Sequence, residues 1–242
     1  MQYRIRGGNP LYGAVSAQGS KNAVLPILFA SLLVPCPVTL EQVPRLKDVE
    51  KTVLLLEDMG AKTDWQGNTL RICCEKLRQP SSSALPLLSS MRASSYLLGA
   101  GIARFGSVTL PWPGGCDFGT RPLNYHQFIL SRMGAVWKET PEGVSVKAKE
   151  LHGCEAVLPY PSVGATVNGV LAALGAKGTT LLKGCAKEKH VLCFLSFLKR
   201  CGADVVSLDG DTLLIRGQTA LHGCRFRICP DGMAAGTYLI GA

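Results

Sequence analysis

The chain has 242 residues, 47% of them hydrophobic and 18% charged, and this balance predicts a folded protein and excludes a disordered one. The formal net charge is +9, yet no run of five basic residues and no alternation of basic and aromatic residues occurs. Cations dispersed in this way favour discrete pockets for anionic small molecules over a nucleic-acid track.

The ten cysteines fall at irregular intervals without a C-x-x-C motif. This usage fits neither a disulfide framework nor a zinc ribbon, and it indicates a reducing compartment. The start of the chain lacks an apolar signal core, and the longest apolar run, Ala23–Val34, is too short to span a bilayer. We therefore expect a cytoplasmic protein with no membrane partner.

The first twenty residues are rich in turns. Two short strands are predicted there, at Arg4–Arg6 and Ala14–Ala17, on either side of a Gly-Gly-Asn-Pro turn. The apolar stretch Ala23–Leu33 then predicts a buried helix, with Gly19 and Ser20 as its turn and N-cap.

Lys21 and Asn22 fall at the start of this predicted helix. A lysine in the first turn opposes the helix macrodipole, whereas an anion bound there would be favoured by it. Lys21 is therefore either an ordinary surface lysine or one that is held in place to meet an anion.

A Gly-Ala pair closes a predicted helix three times, at Gly60, Gly134 and Gly202, at intervals of roughly 70 residues. A hairpin-like pair of strands follows each glycine, and a short strand precedes each of these helices. The preceding strands are Val38–Leu40, Val108–Leu110 and Thr180–Leu182, and the helices that open the three units begin near Ala23, Ala93 and Ala165.

Three copies of helix–strand–helix–strand–strand predict one pseudo-threefold α/β domain over residues 21–229. A fourth copy starts at Pro230, and residues 230–242 supply only its opening helix. A helix without its strands cannot bury its apolar face, so we expect this one to pack against something outside the sequence or to fray.

The loop Pro113–Pro122 carries a cysteine among three glycines and two prolines. Glycine and proline exclude helix and central strand here, and they predict an exposed loop. A nearby guanidinium such as that of Arg121 would favour the thiolate of Cys116. Cys116 is therefore a candidate reactive thiol, and the alternative is a chance cysteine in a surface turn.

Arg92 lies in the second unit at the position equivalent to Lys21 in the first unit. Ser162–Thr166 lies at the equivalent position in the third unit. If a threefold axis brings these helix starts together, they form one pocket for a multiply charged anion, which Arg121 could also reach. The alternative is a set of separate surface charges at helix ends.

The remaining histidines and cysteines favour structural roles. His152 and His222 lie in Leu-His-Gly-Cys segments one repeat apart, and H-x-C is poor ligand spacing, so we expect no metal. His126 is predicted to cap or pack and His190 to lie at the surface. Core or boundary positions are predicted for Cys185, Cys193 and Cys201.

Four segments resemble the UDP-N-acetylglucosamine 1-carboxyvinyltransferase (MurA) family of enolpyruvyl transferases: Ser20–Ala23, Met91–Ser94, Pro113–Pro122 and Ser162–Thr166. The similarity runs from Tyr3 to Ala242, and the cysteine loop distinguishes that family from its sister, 5-enolpyruvylshikimate-3-phosphate synthase. The resemblance implies an α/β fold of two domains, each an inside-out α/β barrel of three βαβαββ units, with the active site between them. The second domain would be largely missing here, and residues 1–20 would be strands that belong to it.

The same resemblance implies roles for individual residues. Lys21 and Asn22 would hold phosphoenolpyruvate, and Cys116 would be the proton donor and an adduct-forming thiol. The UDP-sugar site would be lined by Arg92, Arg121, Pro122, Leu123, Asn124, Tyr125, Tyr160, Pro161, Ser162, Val163 and Gly164. The implied reaction moves the enolpyruvyl group to the 3-hydroxyl of UDP-N-acetylglucosamine without metal or cofactor.

Some positions depart from the family pattern. Asn124 stands where the family usually has an aspartate. Gly232 and Ala234 stand in place of the family's usual arginine and glutamate, and Lys189–His190 lie where the family is acidic. The base for the sugar hydroxyl would also lie in the second domain. The alternatives are therefore a catalytically silent copy that binds UDP-sugar or pairs with a full-length enzyme, and a shikimate-pathway enzyme.

Overall fold

The computed structural model of the protein describes residues 2–4, 6–8, 12–115 and 122–241. Residues 12–18 form no strand, so the strand predicted at Ala14–Ala17 is wrong. No strand within the described ranges pairs with it, and Ala14–Ser16 are exposed to water instead. An isolated bridge joins Gly19 to Pro230 just before the first helix.

The first unit begins with an apolar helix and ends with a hairpin, as predicted. Its elements are α1 (Lys21–Ala30), a 3-10 turn (Ser31–Leu33), β1 (Val38–Glu41), α2 (Lys47–Asp58), β2 (Lys62–Gln66) and β3 (Thr69–Cys73). Residues Ala23–Ala30 are all buried, as expected of a helix that is apolar on every side. Gly60 follows α2 at a φ of +99°, the left-handed conformation of a glycine C-cap.

The second unit repeats this order after a short helical approach. Two 3-10 turns, Ser82–Ala84 and Arg92–Tyr96, flank α3 (Leu85–Ser89), and the second turn runs directly into α4. The remaining elements are α4 (Leu97–Phe105), β4 (Ser107–Pro111), α5 (Asn124–Arg132), β5 (Val136–Thr140) and β6 (Gly143–Lys147).

The third unit has the same helices and hairpin, with an additional leading strand. Its elements are β7 (Glu155–Val157), α6 (Val163–Gly175), β8 (Thr179–Lys183), α7 (Lys189–Arg200), β9 (Asp204–Ser207) and β10 (Leu213–Arg216). The chain then continues through β11 (Arg225–Arg227) to α8 (Gly232–Gly241).

Each unit contributes one sheet, and the last strand returns to the first. The strand orders are β11-β1-β3-β2, β4-β6-β5 and β7-β8-β10-β9. Strand β11 pairs in parallel with β1, placing Thr39 opposite Arg225 and Leu40 opposite Phe226. Because β11 follows the third unit, this pairing closes the ring of three units.

The apolar helices lie inside and the sheets lie outside, which confirms the predicted inside-out arrangement. Helix α4 packs closely on α6, and α1 packs on α7. A Cβ added to Gly99 in α4 would stand 2.4 Å from the backbone oxygen of Asn168 in α6, so only glycine permits this approach.

Helix α8 stands apart from this core. None of its residues is buried, and Met233, Leu239 and Ile240 are strongly exposed. Within the described parts of the chain, no helix combines the length and the apolar character needed to cross a membrane.

Candidate active site

A cavity of about 780 Å³ lies where the first turns of α1, α5 and α6 meet the 3-10 turn that leads into α4. This volume is within the usual range for small-molecule sites. Lys21, Arg92 and Ser162, which come from three different units, all line it. The convergence that was predicted from repeat equivalence is therefore observed.

Ten of the predicted site residues lie in the cavity wall: Lys21, Asn22, Arg92, Pro122, Asn124, Tyr125, Tyr160, Ser162, Val163 and Gly164. Two others lie elsewhere. Leu123 is 4% exposed and packs into the core just before α5, and Pro161 is an exposed residue outside the wall. Cys116 and Arg121 lie outside the described residues.

Lys21 reaches the cavity while paired with a carboxylate. Its Nζ lies 3.1 Å from Asp48 Oδ2, and the two side chains are 40% and 39% exposed. An ion pair this exposed contributes little stability, so a ligand anion can compete for the ammonium group. Asp48 was not predicted from the sequence, because it belongs to α2 and Lys21 belongs to α1.

The start of α1 is capped differently from the prediction. The side chain of Ser20 makes no capping hydrogen bond. Its carbonyl accepts from Ala23 N at 3.2 Å, and the Lys21 amide instead donates to Asp231 Oδ2 at 3.4 Å. The carboxylate of Asp231 also accepts from Met233 N at 2.9 Å, so it caps α8 as well.

The start of α6 is fixed by a regular N-cap. Ser162 Oγ accepts from Ala165 N at 3.3 Å, and its carbonyl accepts from Thr166 N at 2.9 Å. Thr166 Oγ1 in turn accepts from Ala186 N at 3.0 Å, which ties α6 to the loop after β8. A Cβ on Gly164 would stand 2.8 Å from His126 Cε1, so this glycine admits the imidazole ring.

His126 packs into the cavity wall and was not among the predicted site residues. The side chain is 4% exposed, and its Nδ1 lies 2.7 Å from Asn168 Nδ2. Burial, assisted by the nearby positive charge of Arg92, lowers the pKa of His126 to about 3. The ring is therefore neutral at physiological pH. Its predicted packing role is confirmed, and its contact with the cavity is additional.

His190, which was predicted to lie at the surface, also lines the cavity. It is partly buried at the start of α7, because α7 packs against α1 beside the cavity. Burial lowers the pKa of His190, and the carboxylates of Glu188 and Asp231 act in the opposite direction.

The cysteines of the third unit are buried, as predicted: Cys185, Cys193 and Cys201. Cys201 Sγ lies 3.3 Å from Cys224 Sγ at the boundary of the core. No cluster of three or more His, Cys, Asp or Glu side chains that could hold a metal ion occurs within residues 12–115 and 122–241 or the short described stretches before them.

Comparison with known proteins identifies relatives along the whole chain. A protein from Oleidesulfovibrio alaskensis named UDP-N-acetylglucosamine 1-carboxyvinyltransferase is 39% identical over 238 residues, covering 98% of this chain and 57% of its own length. A protein from Caldanaerobacter subterraneus subsp. tengcongensis named UDP-N-acetylglucosamine 1-carboxyvinyltransferase 3 is 36% identical over 241 residues, covering 100% and 58%. The chain thus spans somewhat more than half the length of these curated relatives.

A solved structure supports the fold independently. The enolpyruvyl transferase NikO from Streptomyces tendae superposes with a TM-score of 0.86 at 22% identity, covering 97% of this chain and 56% of its own. The sequence profile of EPSP synthase (3-phosphoshikimate 1-carboxyvinyltransferase) matches residues 5–242. The chain therefore belongs to the EPSP synthase family of enolpyruvyl transferases.

Proposed function

We propose that this chain takes part in the transfer of the enolpyruvyl group of phosphoenolpyruvate to the 3-hydroxyl of UDP-N-acetylglucosamine, with release of phosphate. This reaction begins peptidoglycan synthesis, and we place it in the cytoplasm. The observation that carries the proposal is the meeting of Lys21, Arg92 and Ser162 at one cavity. The names of relatives at 36–39% identity support the choice of substrates.

Both substrates are anions, and the cavity offers cations to both. Lys21 and Asn22 are proposed to hold the phosphate and carboxylate of phosphoenolpyruvate, because the ammonium group can leave Asp48 for a ligand. Arg92 is proposed to hold the diphosphate of the UDP-sugar, together with Arg121, which lies outside the described residues. The rest of the predicted wall is proposed to contact the nucleotide and sugar: Pro122, Asn124, Tyr125, Tyr160, Ser162, Val163 and Gly164.

The proposed chemistry is addition followed by elimination. The 3-hydroxyl oxygen bonds to C2 of phosphoenolpyruvate while C3 takes a proton and the hydroxyl loses one. Loss of a C3 proton then expels phosphate and restores the double bond. Cys116 is proposed to supply the C3 proton, since a positioned acid contributes on the order of 10² to 10⁴ in rate. Cationic groups hold the anions close to the acceptor hydroxyl.

The proposal includes a division of the chain. Residues 21–229 would form the three-unit domain, and residues 1–20 and 230–242 would belong with a second domain. The exposed apolar side chains of α8 and the lack of a strand over residues 12–18 support this division. A C-terminal half or a full-length homologue is then the proposed protein partner.

Ligand binding tests the proposal directly. Calorimetric titration with UDP-N-acetylglucosamine is expected to show binding that weakens at least tenfold in Arg92→Ala, because a charge-assisted contact to the diphosphate is lost. Arg216→Ala is the matched control, since Arg216 lies in the third sheet and pairs with Asp204. Equal affinity of the two variants would contradict the proposed site.

Binding without turnover is the second candidate. The departures from the family pattern at Asn124, Gly232 and Ala234 favour it. Phosphate release from the two substrates, measured with and without a supplied C-terminal half of a relative, separates the candidates. Persistent inactivity with intact UDP-sugar binding would establish the silent copy. Tight binding of shikimate 3-phosphate in place of the UDP-sugar would favour the shikimate-pathway activity.

A further inference from the structure

Asn168 occupies the centre of the core, and all of its polar atoms have partners. The residue is 0% exposed on α6. Its Oδ1 accepts from Gly99 N at 2.6 Å, and its Nδ2 donates to Ser95 O at 2.9 Å. A backbone N–H can only donate and a backbone carbonyl can only accept, so these two bonds fix the orientation of the amide.

The fixed amide determines where His126 carries its proton. The second hydrogen on Asn168 Nδ2 points to His126 Nδ1, which lies 2.7 Å away and must accept it. A neutral imidazole with an accepting Nδ1 has its proton on Nε2. A proton on Nδ1 would face the amide hydrogen directly, so both the other tautomer and the imidazolium are disfavoured.

The protonated nitrogen lies on the ring edge next to Gly164, which is itself a residue of the cavity wall. A Cβ added to Gly164 would stand 2.9 Å from Nε2, which places this edge against the first turn of α6. Nε2 has no hydrogen-bond partner among the described residues. Thr180 Oγ1 is the one side-chain N or O atom found there that is both inaccessible to solvent and without a partner. Nε2 of His126 is therefore not such an atom, and the residue that carries it lines the cavity.

We propose that Asn168 is a positioning residue that holds His126 as the Nε2–H tautomer, so that His126 donates a hydrogen bond to a phosphoryl oxygen bound at the start of α6. The ligand part of this inference rests on the proposed function, and the tautomer part does not. Arg92, near the ring, supplies the positive charge for the same anion. A neutral donor beside it adds a directed bond that does not require a buried second cation.

Long-range ¹H–¹⁵N correlation spectra of the ¹⁵N-histidine-labelled chain test the tautomer without any ligand. The expected result is a protonated Nε2 and an unprotonated Nδ1 for His126 from pH 5 to pH 8. An Nδ1–H resonance overturns the inference. Asn168→Asp keeps an acceptor for Gly99 N but places an acceptor against His126 Nδ1, so the proton is expected to move to Nδ1 in that variant.

Paired variants of His126 test the bond to the ligand. Glutamine presents an amide N–H near the position of Nε2, and asparagine presents one near Nδ1. Titration with UDP-N-acetylglucosamine is expected to give His126→Gln within about threefold of the wild type, and His126→Asn about tenfold to a hundredfold weaker. Unfolding curves of both variants separate a binding defect from a folding defect.

Each outcome of these experiments decides one part of the inference. Equal affinities for the two His126 variants, in chains of equal stability, overturn the donor role. If the wild type does not bind UDP-N-acetylglucosamine at all, the proposed function and the ligand part both fail. The spectra of the free protein decide the tautomer in every case, and they also decide it if Asn168→Asp fails to fold.

Discussion

The neutral buried His126 predicts that the protein loses stability in mild acid. In the unfolded chain the imidazole titrates near the ordinary histidine pKa of 6.5, whereas in the folded protein burial and the charge of Arg92 lower the pKa to about 3. Between these two values the unfolded state binds a proton that the folded state does not. Stability from this group is therefore complete above pH 6.5 and is lost as the pH falls toward 3.

The magnitude follows from the pKa difference. One pKa unit corresponds to about 1.4 kcal/mol, so the whole shift corresponds to about 5 kcal/mol. At pH 5 the loss is expected to be about 2 kcal/mol, a substantial part of the roughly 5–15 kcal/mol that stabilises a typical domain. Acid unfolding is therefore expected well above the pH at which His126 would titrate in the folded state.

Urea unfolding of the wild type and of His126→Gln at pH 7.5, 6.0 and 5.0 measures this contribution. Glutamine does not titrate, so the free-energy difference between the two proteins is expected to change by about 2 kcal/mol between pH 7.5 and pH 5.0. His222→Gln is the control, because His222 is exposed and its loss leaves the buried ring in place. Parallel pH dependence in the wild type and His126→Gln would refute the reasoning.

Three further predictions concern packing, charge and thiol access. Gly99→Ala is expected to lower the free energy of unfolding by about 1–3 kcal/mol, because the new Cβ would meet the α6 backbone at 2.4 Å. Gly232→Ala is the control: its Cβ would meet nothing within 4 Å, so the thermal midpoint should stay unchanged or rise. Asp48→Asn is expected to strengthen phosphoenolpyruvate binding by freeing Lys21, and weaker binding in calorimetry would show instead that Asp48 orients the lysine. Pulsed alkylation followed by mass spectrometry should modify the exposed Cys36 well before the buried thiols, whose pKa values burial raises, and equal rates in the native protein would contradict the packing. Those buried thiols are Cys74, Cys185, Cys193 and Cys201.

The repeat architecture could be predicted because each unit carries its own local signals. Gly60, Gly134 and Gly202 end their helices at φ values of +99°, +92° and +90°, a conformation that glycine adopts without a Cβ clash. Equivalent positions in equivalent units then placed Lys21 and Arg92 at one cavity. The local capping and turn signals, repeated in three units, were sufficient to predict this part of the site.

Contacts between units could not be predicted in the same way. His126 and Asn168 are 42 residues apart and lie on different helices, so no spacing rule connects them. The strand predicted at Ala14–Ala17 failed for a related reason. Its residue types allow an extended backbone, but a strand forms only where another backbone is present to pair with it.

The structure also changes the physical explanation of how this cavity attracts anions. The sequence predicted an anion pocket where the helix starts meet, favoured both by the helix macrodipole and by the basic side chains there. Asp231 Oδ2 already accepts from Lys21 N, and Ser162 Oγ already accepts from Ala165 N. Because these two amides are engaged by the protein, they are not available to a ligand, whereas the charged side chains of Lys21 and Arg92 line the cavity. The ligand preference of the cavity is therefore expected to depend on the length and direction of individual side chains. Substitutions of these side chains that leave the helices intact should be enough to change that preference.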